Sequence, residues 1–250
     1  MREIHFDRLT SPEVAAALAE GWDTVVFACG ATEQHGPHLA LSMDASHGTA
    51  LALAVARRLD RALVAPTIRV GCSEHHMAFA GTLTLRAETF LAVVEDYVES
   101  LVRHGFRRIV IVPTHGGNFG PLSDGLERLR SVAGEGARVE AFVDLAAVME
   151  VWTVVAEKEA GRGTGVGGHA DVAEGSILMA LHPEAVRVDR VEPGRVGPLD
   201  AEVTRRLFAE GMAAVSPNGI LGDPTGMNAA LGRRLVEALA QRVVESLSGP

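Results

Sequence analysis

The chain has 250 residues, 47% of them hydrophobic, which is enough for one α/β domain with a large core. Its 23 basic and 32 acidic residues give a formal charge of −9, which argues against nucleic acids and anionic membrane surfaces as partners. Lys158 is the only lysine, and Cys29 and Cys72 are the only cysteines, so the composition argues against a lysine Schiff base, a lysine-dependent phosphate loop and a disulfide framework.

Strands and helices alternate along the chain, each marked by its apolar pattern. Ser11 followed by Pro12 predicts the N-cap and start of a first helix. Apolar runs at 24–29 and 108–113 are typical of strands buried on both faces, and Gly105 is a stop signal for the helix before the second run. In chain order we predict a helix at 11–20, a strand at 24–29, a helix at 45–59, strands at 63–70 and 82–85, a helix at 88–104, a strand at 108–113, a helix capped by Asn118, a strand at 139–143, and helices at 145–160, 172–181 and 229–247.

This alternation predicts an α/β fold with a largely parallel sheet and helices on both of its faces. We find no change of composition that would mark a second domain, and we expect one domain over residues 1–250. In such sheets, ligands bind outside the carboxyl ends of the strands. Polar side chains that directly follow a strand are therefore the first candidates for a functional site, and three clusters of that kind are present.

The first cluster follows the strand that ends at Cys29 and contains Glu33, His35 and Asp44. In an extended segment the side chains at 33 and 35 point the same way, and Asp44 lies at the start of the next helix, where the loop can bring it beside them. Carboxylate and imidazole ligands suit zinc, manganese or iron(II) and match calcium poorly. The spacing alone equally allows a polar surface loop in which Asp44 is a cap.

The second and third clusters lie farther along the chain. His115 stands at the tip of the strand at 108–113, before two glycines, and we favour a metal ligand over a simple hydrogen-bonded turn because another cluster exists for it to join. His169 and Glu174 would face one point in front of the sheet if a helix begins near Asp171. The alternative for Glu174 is a carboxylate that only complements the dipole of this helix.

Together these motifs resemble the creatininase family of metal-dependent amidohydrolases, in order and across nearly the whole chain. The matching segments are Gly30-x-x-Glu33-Gln-His-Gly-Pro-His-Leu39 with Asp44, Gly81-Thr82, His115-Gly-Gly-Asn118, His169-x4-Glu174 and 219–224. The resemblance implies a three-layer α/β/α sandwich with a mostly parallel sheet. It also implies a homo-oligomer, often a hexamer, with two divalent metal ions per subunit, for which zinc is expected first and manganese or iron are alternatives.

Carried over by position, the resemblance implies that Glu33, Asp44 and His115 hold one metal ion. His35 and Asp44 would hold the other, with Asp44 bridging the two ions. A hydroxide shared by the ions would then attack the carbonyl of an amide-like small molecule and cleave its carbon–nitrogen bond. His169, with a pKa near neutrality, is the expected acid that protonates the leaving nitrogen, and an orienting role is its alternative.

Two departures from creatininase bear on this assignment. Creatininase has a glutamate where this chain has Gly117, and Glu174 is the substitute that relatives with His-Gly-Gly-Asn offer as a ligand of the second ion. Creatininase also encloses its substrate with tryptophans, whereas this chain has only Trp22 and Trp152, which argues against creatinine itself. His76 matches a histidine of relatives and is expected to bind substrate.

The substrate class stays open at this point. Members of the family open cyclic amides, remove formyl groups, trim a modified peptide or hydrolyse cyclic sugar derivatives, and a metal-bound scaffold without turnover is the non-enzymatic alternative. We expect His75 to be solvated and His47 to lie on the outer face of its helix. No apolar run approaches the ~20 residues of a membrane span, and the first ten residues lack the apolar core of a secretion signal, so we expect no membrane partner and a cytoplasmic location.

Overall fold

A four-stranded parallel sheet is the central layer of the computed structural model, which describes residues 3–247. The strands are β1 (Thr24–Cys29), β2 (Ala62–Val64), β3 (Arg108–Pro113), β4 (Arg138–Ala141), β5 (Val166–His169) and β6 (Leu221–Gly222). The helices are α1 (Ser11–Ala19), α2 (Met43–Ala56), α3 (Ala87–His104), α4 (Gly116–Ala133), α5 (Leu145–Ala160), α6 (Val172–Leu181), α7 (Ala201–Glu210), α8 (Met212–Val215) and α9 (Ala229–Leu247). The sheet has the order β2-β1-β3-β4, while β5 and β6 form a separate antiparallel pair.

The sheet separates two apolar cores, because successive side chains of a strand point to opposite faces. Val25 and Phe27 of β1 pack in one core with residues of α3 and α4. Val26 and Ala28 of the same strand pack in the other core with residues of α2, α5, α6 and α9. The fold is therefore a three-layer α/β/α arrangement with a mostly parallel sheet, as the sequence predicts.

Most predicted elements are confirmed within a few residues, and α3 ends as expected at Gly105, whose φ of 104° lies in the left-handed region. The cap of α1 is different. Thr10, not Ser11, is the N-cap, and its backbone N–H donates to Oε2 of Glu13 at 2.7 Å. This reciprocal capping box stabilises the helix one residue earlier than the Ser-Pro pair suggests.

Two predicted strands are shorter in the structure. β2 ends at Val64 instead of residue 70, because Pro66 fixes the backbone φ directly after Ala65, and pairing with β1 resumes only at Ile68 with its register shifted by one residue. The predicted strand at 82–85 is reduced to one antiparallel bridge between Leu83 and Thr32.

Asn118 is not a helix cap. The N-cap of α4 is His115, and Asn118 lies inside the first turn with its side chain fully buried. Its Nδ2 donates to the carbonyls of Cys29 and Gly30, both at 3.0 Å, and its Oδ1 accepts from the N–H of Cys72 at 3.0 Å. The side chain thus fastens the end of β1 to the loop at 72.

We predicted no helix between residues 181 and 229, yet α7 and α8 lie there. Leu207 of α7 and Met212 of α8 pack with Leu221 of β6 in a small apolar cluster. Within the described chain, none of the helices combines the length and the apolar character that crossing a bilayer requires.

Candidate functional site

The polar residues predicted from the three clusters meet at the carboxyl end of the sheet. Glu33 and His35 follow β1, His76 lies in the loop at 74–76, Asp44 lies in the first turn of α2, His115 follows β3, His169 ends β5 and Glu174 lies in the first turn of α6. Gly30 permits this convergence, because a Cβ there would lie 2.8 Å from the backbone of Ala45. Only glycine lets the first turn of α2 approach the end of β1 so closely.

Asp44 stands between two sets of side chains. Its Oδ1 lies 3.3 Å from Nε2 of His35, which in turn lies 3.5 Å from Oε2 of Glu174. Its Oδ2 lies 3.5 Å from Nδ1 of His115, which lies 3.2 Å from Oε1 of Glu33. Within each set, the atoms that could bind a metal ion lie within 4.8 Å of one another. One carboxylate therefore faces two candidate ligand sets, each with one histidine and one further carboxylate.

Backbone carbonyls orient both histidines of these sets. Nδ1 of His35 lies 3.1 Å from the carbonyl oxygen of Glu33, and Nε2 of His115 lies 3.1 Å from that of Cys72. Each of these nitrogens can therefore donate its N–H, which leaves the other ring nitrogen free to face the carboxylates. Histidine ligands of metal ions are typically fixed in this way.

Glu33 and Asp44 are buried with carboxylate oxygens that lack the hydrogen bonds a buried charge requires. Glu33 has no exposed surface, and within residues 3–247 neither of its oxygens has a hydrogen-bond partner. The same is true of Oδ2 of Asp44. A buried carboxylate is costly unless it is paired or coordinates a metal ion. These oxygens, together with the nitrogens that face them, fit a pair of divalent cations.

The pKa values of the same groups reflect their crowding. Burial alone lowers the pKa of His35, but the charges of Asp44 and Glu174 raise it to about 10. Burial raises the pKa of Glu174 to about 8, against the lowering effect of His35 and with a further contribution from Asp44. Burial opposes ionisation of Asp44 as well, but His35 and His115 hold its pKa below the usual range. The cluster therefore favours positive charge near Asp44.

His169 lies beside these sets, with Nδ1 3.7 Å from Oε1 of Glu33. Its Nε2 lies 2.8 Å from the carbonyl oxygen of Gln34 and 3.0 Å from the side-chain Nε2 of the same residue. The two N–H groups of that amide can donate to Nδ1 of His76 and to the carbonyl of Gly219, so Nε2 of His169 is assigned as the donor to the Gln34 carbonyl, and Nδ1 has the free lone pair. Burial and the nearby charge of His35 lower its pKa well below the usual value. The lowered pKa favours the neutral imidazole, which can accept a proton, over the charged form.

His76 is 2% exposed and shares Gln34 with His169. Nε2 of Gln34 donates to Nδ1 of His76 at 2.8 Å, so Nε2 of His76 is its protonated nitrogen. That nitrogen lies 3.5 Å from Oε1 of Glu33 and can donate a hydrogen bond to a group that binds next to the candidate ligand sets.

A pocket of about 340 Å3 opens from this cluster. Besides His76, His115, His169 and Glu174, its lining includes Phe119, Leu145, Val148, Met149, Trp152, Leu207, Phe208, Met212 and Leu239. Most of this wall comes from α5, α7, α8 and α9. We did not predict α7 and α8, although Asp200, which caps α7, and the apolar residues on one side of that helix are signals for it.

Two further histidines lie in the wall of the pocket, against our expectation. His47 is 1% exposed and lines the pocket instead of facing outward. His75 is half-buried rather than solvated, and its ring stacks 5.7 Å from that of His115 and lies 4.9 Å from that of Phe208. Burial lowers the pKa of His75 to about 3. Both side chains are therefore uncharged parts of the pocket wall.

The position of Gly117 explains why a longer side chain is absent there. A Cβ on Gly117 would lie 2.2 Å from the carbonyl oxygen of Cys72 and 2.6 Å from Nε2 of His115, the two atoms that form the orienting contact. We expect Gly117→Ala to lower the free energy of unfolding by about 1–3 kcal/mol, because the new methyl group overpacks this turn.

The matched control is Gly116→Ala, in the same turn of α4, where a Cβ would have nothing within 4 Å in the described part of the chain. Alanine there should leave stability unchanged or raise it by up to about 1 kcal/mol, since alanine is the better helix former. Urea unfolding of both variants measures the difference. Equal free energies of unfolding would contradict the crowding argument.

Comparison with known proteins identifies the family of this chain. The family model for creatininase, described as creatinine amidohydrolase, matches residues 7–247. A relative from Mycobacterium ulcerans (strain Agy99), named mycofactocin precursor peptide peptidase, is 33% identical over 94% of this chain and 90% of its own length. The creatinine amidohydrolase of Pseudomonas putida is 27% identical over 98% of this chain and 96% of its own length.

Among solved structures, a creatininase variant described as of the Zn-Zn type has a TM-score of 0.79 at 25% identity. The match covers 99% of this chain and 98% of the other. The family model spans almost the whole chain, and the relatives align over nearly their full length. The chain therefore belongs to the creatininase family of hydrolases.

Proposed function

We propose that this chain hydrolyses a carbon–nitrogen bond of an amide-like substrate at a dinuclear metal centre. The observation that carries the proposal is the carboxylate of Asp44, whose two oxygens face two separate sets of candidate ligands. Glu33 and His115 would complete one metal site, and His35 and Glu174 the other. Nitrogen and oxygen ligands of this kind accept zinc, manganese or iron(II). The relative described as of the Zn-Zn type supports zinc as the first candidate.

The two ions, when bound, would polarise the substrate carbonyl and make the attacking water more acidic. Nδ1 of His169 accepts the proton of that water as the new carbon–oxygen bond forms. The same nitrogen then returns the proton to the leaving nitrogen as the carbon–nitrogen bond breaks, so no net charge accumulates. The Nε2–H of His76 donates to the carbonyl oxygen while negative charge develops on it.

Among amides, we favour short peptides. The mycobacterial relative named as a peptide peptidase supports this class. A pocket of about 340 Å3 lies within the usual range for sites that enclose small organic ligands, and its apolar wall suits a hydrocarbon side chain next to the scissile bond. Cyclic amides and formamides are the other substrates that the same metal cluster could cleave.

Removal of the metal ions is the first test. Protein purified without chelator should carry about two divalent ions per chain by elemental analysis, and dialysis against a chelator should abolish hydrolysis. Adding back zinc, manganese or iron(II) to the stripped protein should restore it. The substrate panel should contain dipeptides and tripeptides, N-formyl amino acids and creatinine, with release of the amine as the readout.

Each outcome of this test is informative. Cleavage of peptides by the loaded protein and none by the stripped protein supports the proposal. Full activity after complete removal of the ions would contradict the metal-dependent mechanism. Two bound ions without cleavage of any member of the panel would favour the metal-bound scaffold.

A further inference from the structure

His47 is a buried histidine to which the proposed mechanism assigns no role. It lies one helical turn after Asp44 on α2, and its side chain lines the pocket. Among the described residues, neither of its ring nitrogens has a hydrogen-bond partner. A neutral imidazole has one donor and one acceptor, and leaving both unpaired in the interior is costly. A buried polar group of this kind calls for a partner that the folded chain does not supply.

Trp152 of α5 lies directly beside it. The two ring centroids are 5.6 Å apart, and Trp152 is 4% exposed. Its Nε1–H also lacks an acceptor within residues 3–247, although a buried indole N–H usually has one. Two neighbouring side chains from different helices therefore leave three hydrogen-bonding positions unpaired in the wall of one pocket.

The residues around His47 and Trp152 restrict the kind of group that could hydrogen-bond to them. The nearby wall of the pocket is apolar, with Phe119, Val148 and Leu239 among its residues. Burial lowers the pKa of His47 to about 4, although Asp44 opposes this shift, so the imidazole is neutral near pH 7. An anion would lose its hydration here with Asp44 and Glu174 nearby, and a cation would compete with the metal ions that these carboxylates are proposed to hold. The partner is therefore neutral, and it carries an oxygen that accepts from Trp152.

We propose that His47 and Trp152 form a subsite for a neutral hydroxyl or carboxamide group carried on the apolar part of the substrate. The oxygen of that group accepts from Nε1–H of Trp152 and shares a further hydrogen bond with the imidazole of His47. His47 is in this proposal a specificity residue, which selects a substrate and takes no part in bond cleavage. That the bound group belongs to a substrate rests on the proposed hydrolase function, whereas its binding to His47 and Trp152 can be tested without turnover.

The test uses Trp152 as its own reporter. The chain has two tryptophans, so Trp22→Phe leaves Trp152 as the only indole whose fluorescence responds to a ligand. The metal-loaded Trp22→Phe protein is titrated with 3-methylbutan-1-ol and with 1-chloro-3-methylbutane, which replaces the hydroxyl with a group that donates no hydrogen bond. The alcohol should bind more tightly than the chloroalkane.

His47→Leu in the same background should weaken binding of the alcohol about five- to tenfold, which corresponds to the loss of one hydrogen bond. The affinity of this variant for 1-chloro-3-methylbutane should stay the same or rise, because leucine adds apolar surface. The thermal midpoint should not fall, since the substitution removes an unpaired polar group. The matched control is Met149→Ala, which shortens the apolar wall of the pocket and should weaken both ligands alike.

Equal affinity for the alcohol with and without His47 would overturn the proposal. An equal loss of affinity for the alcohol and the chloroalkane would overturn the proposal too, since that pattern indicates a change of pocket shape rather than of hydrogen bonding. Both readouts are equilibrium binding measurements, so they remain valid even if no member of the substrate panel is cleaved. Cleavage of peptides by the unmodified protein, together with unchanged binding of the alcohol by the His47→Leu variant, would reject this subsite and leave the hydrolase proposal standing.

Discussion

Asp44→Asn is expected to empty both metal sites and to abolish hydrolysis. The substitution preserves the shape of the side chain but removes the charge that both candidate ligand sets share. Loss of an outer partner of a metal ligand already costs roughly 10- to 100-fold in affinity or activity, so loss of a shared ligand should cost more than about a hundredfold. Elemental analysis and turnover, measured on the same preparation, check this result.

The matched variant is Glu174→Gln, which alters one ligand set and leaves the other intact. We expect about one retained ion per chain, against almost none for Asp44→Asn and two for the unmodified protein. This graded stoichiometry distinguishes a bridging carboxylate from a general loss of folding, which circular dichroism would detect separately. Full occupancy and turnover in Asp44→Asn would rule out the bridging role.

His169→Ala is expected to lower kcat about a hundred- to ten-thousandfold while leaving the metal content unchanged. The reason is that Nδ1 of His169 is the free proton acceptor next to the two sets, and its removal leaves proton transfer to bulk water. Imidazole added to the solution should restore part of the activity, because it can enter the space that the side chain leaves.

A second readout separates proton transfer from a structural role. The defect of His169→Ala should be smaller for a p-nitroanilide than for a peptide, since the nitroanilide nitrogen needs less protonation in order to leave. A variant that loses its ions, or that shows the same defect for both leaving groups, would indicate that His169 orients the site and does not transfer protons.

Much of the fold follows from local patterns in the sequence. The continuous apolar runs of β1 and β3 are typical of buried strands of this length, and α5, α6 and α9 begin and end where their apolar spacing does. β2 is the instructive exception. Its apolar run continues past Val64, but Pro66 fixes φ there and the pairing with β1 shifts by one residue, which the hydrophobic pattern does not reveal.

Glu33, His35, Asp44 and His115 stood out in the sequence because they follow strands of the parallel sheet or open the helix behind one, whereas the assignment of Glu174 as a ligand depended on the resemblance to the family. His47 was not predictable in the same way. α2 packs against β1 on one side and α9 on another, so most of its positions are buried and periodicity cannot identify an outer face. The pairing of His47 with Trp152 depends on the packing of α2 near α5, which no local pattern encodes.

One of the proposed metal sites also connects the two halves of the chain. His35 and Asp44 lie near its beginning, whereas Glu174 lies after residue 170, so the site that these three residues would form exists only when both halves have assembled. Ions that bind the folded state alone would stabilise it by roughly 2.7 kcal/mol at a hundredfold excess over the dissociation constant. Scarcity of the ion would then shorten the lifetime of the enzyme against proteolysis as well as slow its reaction.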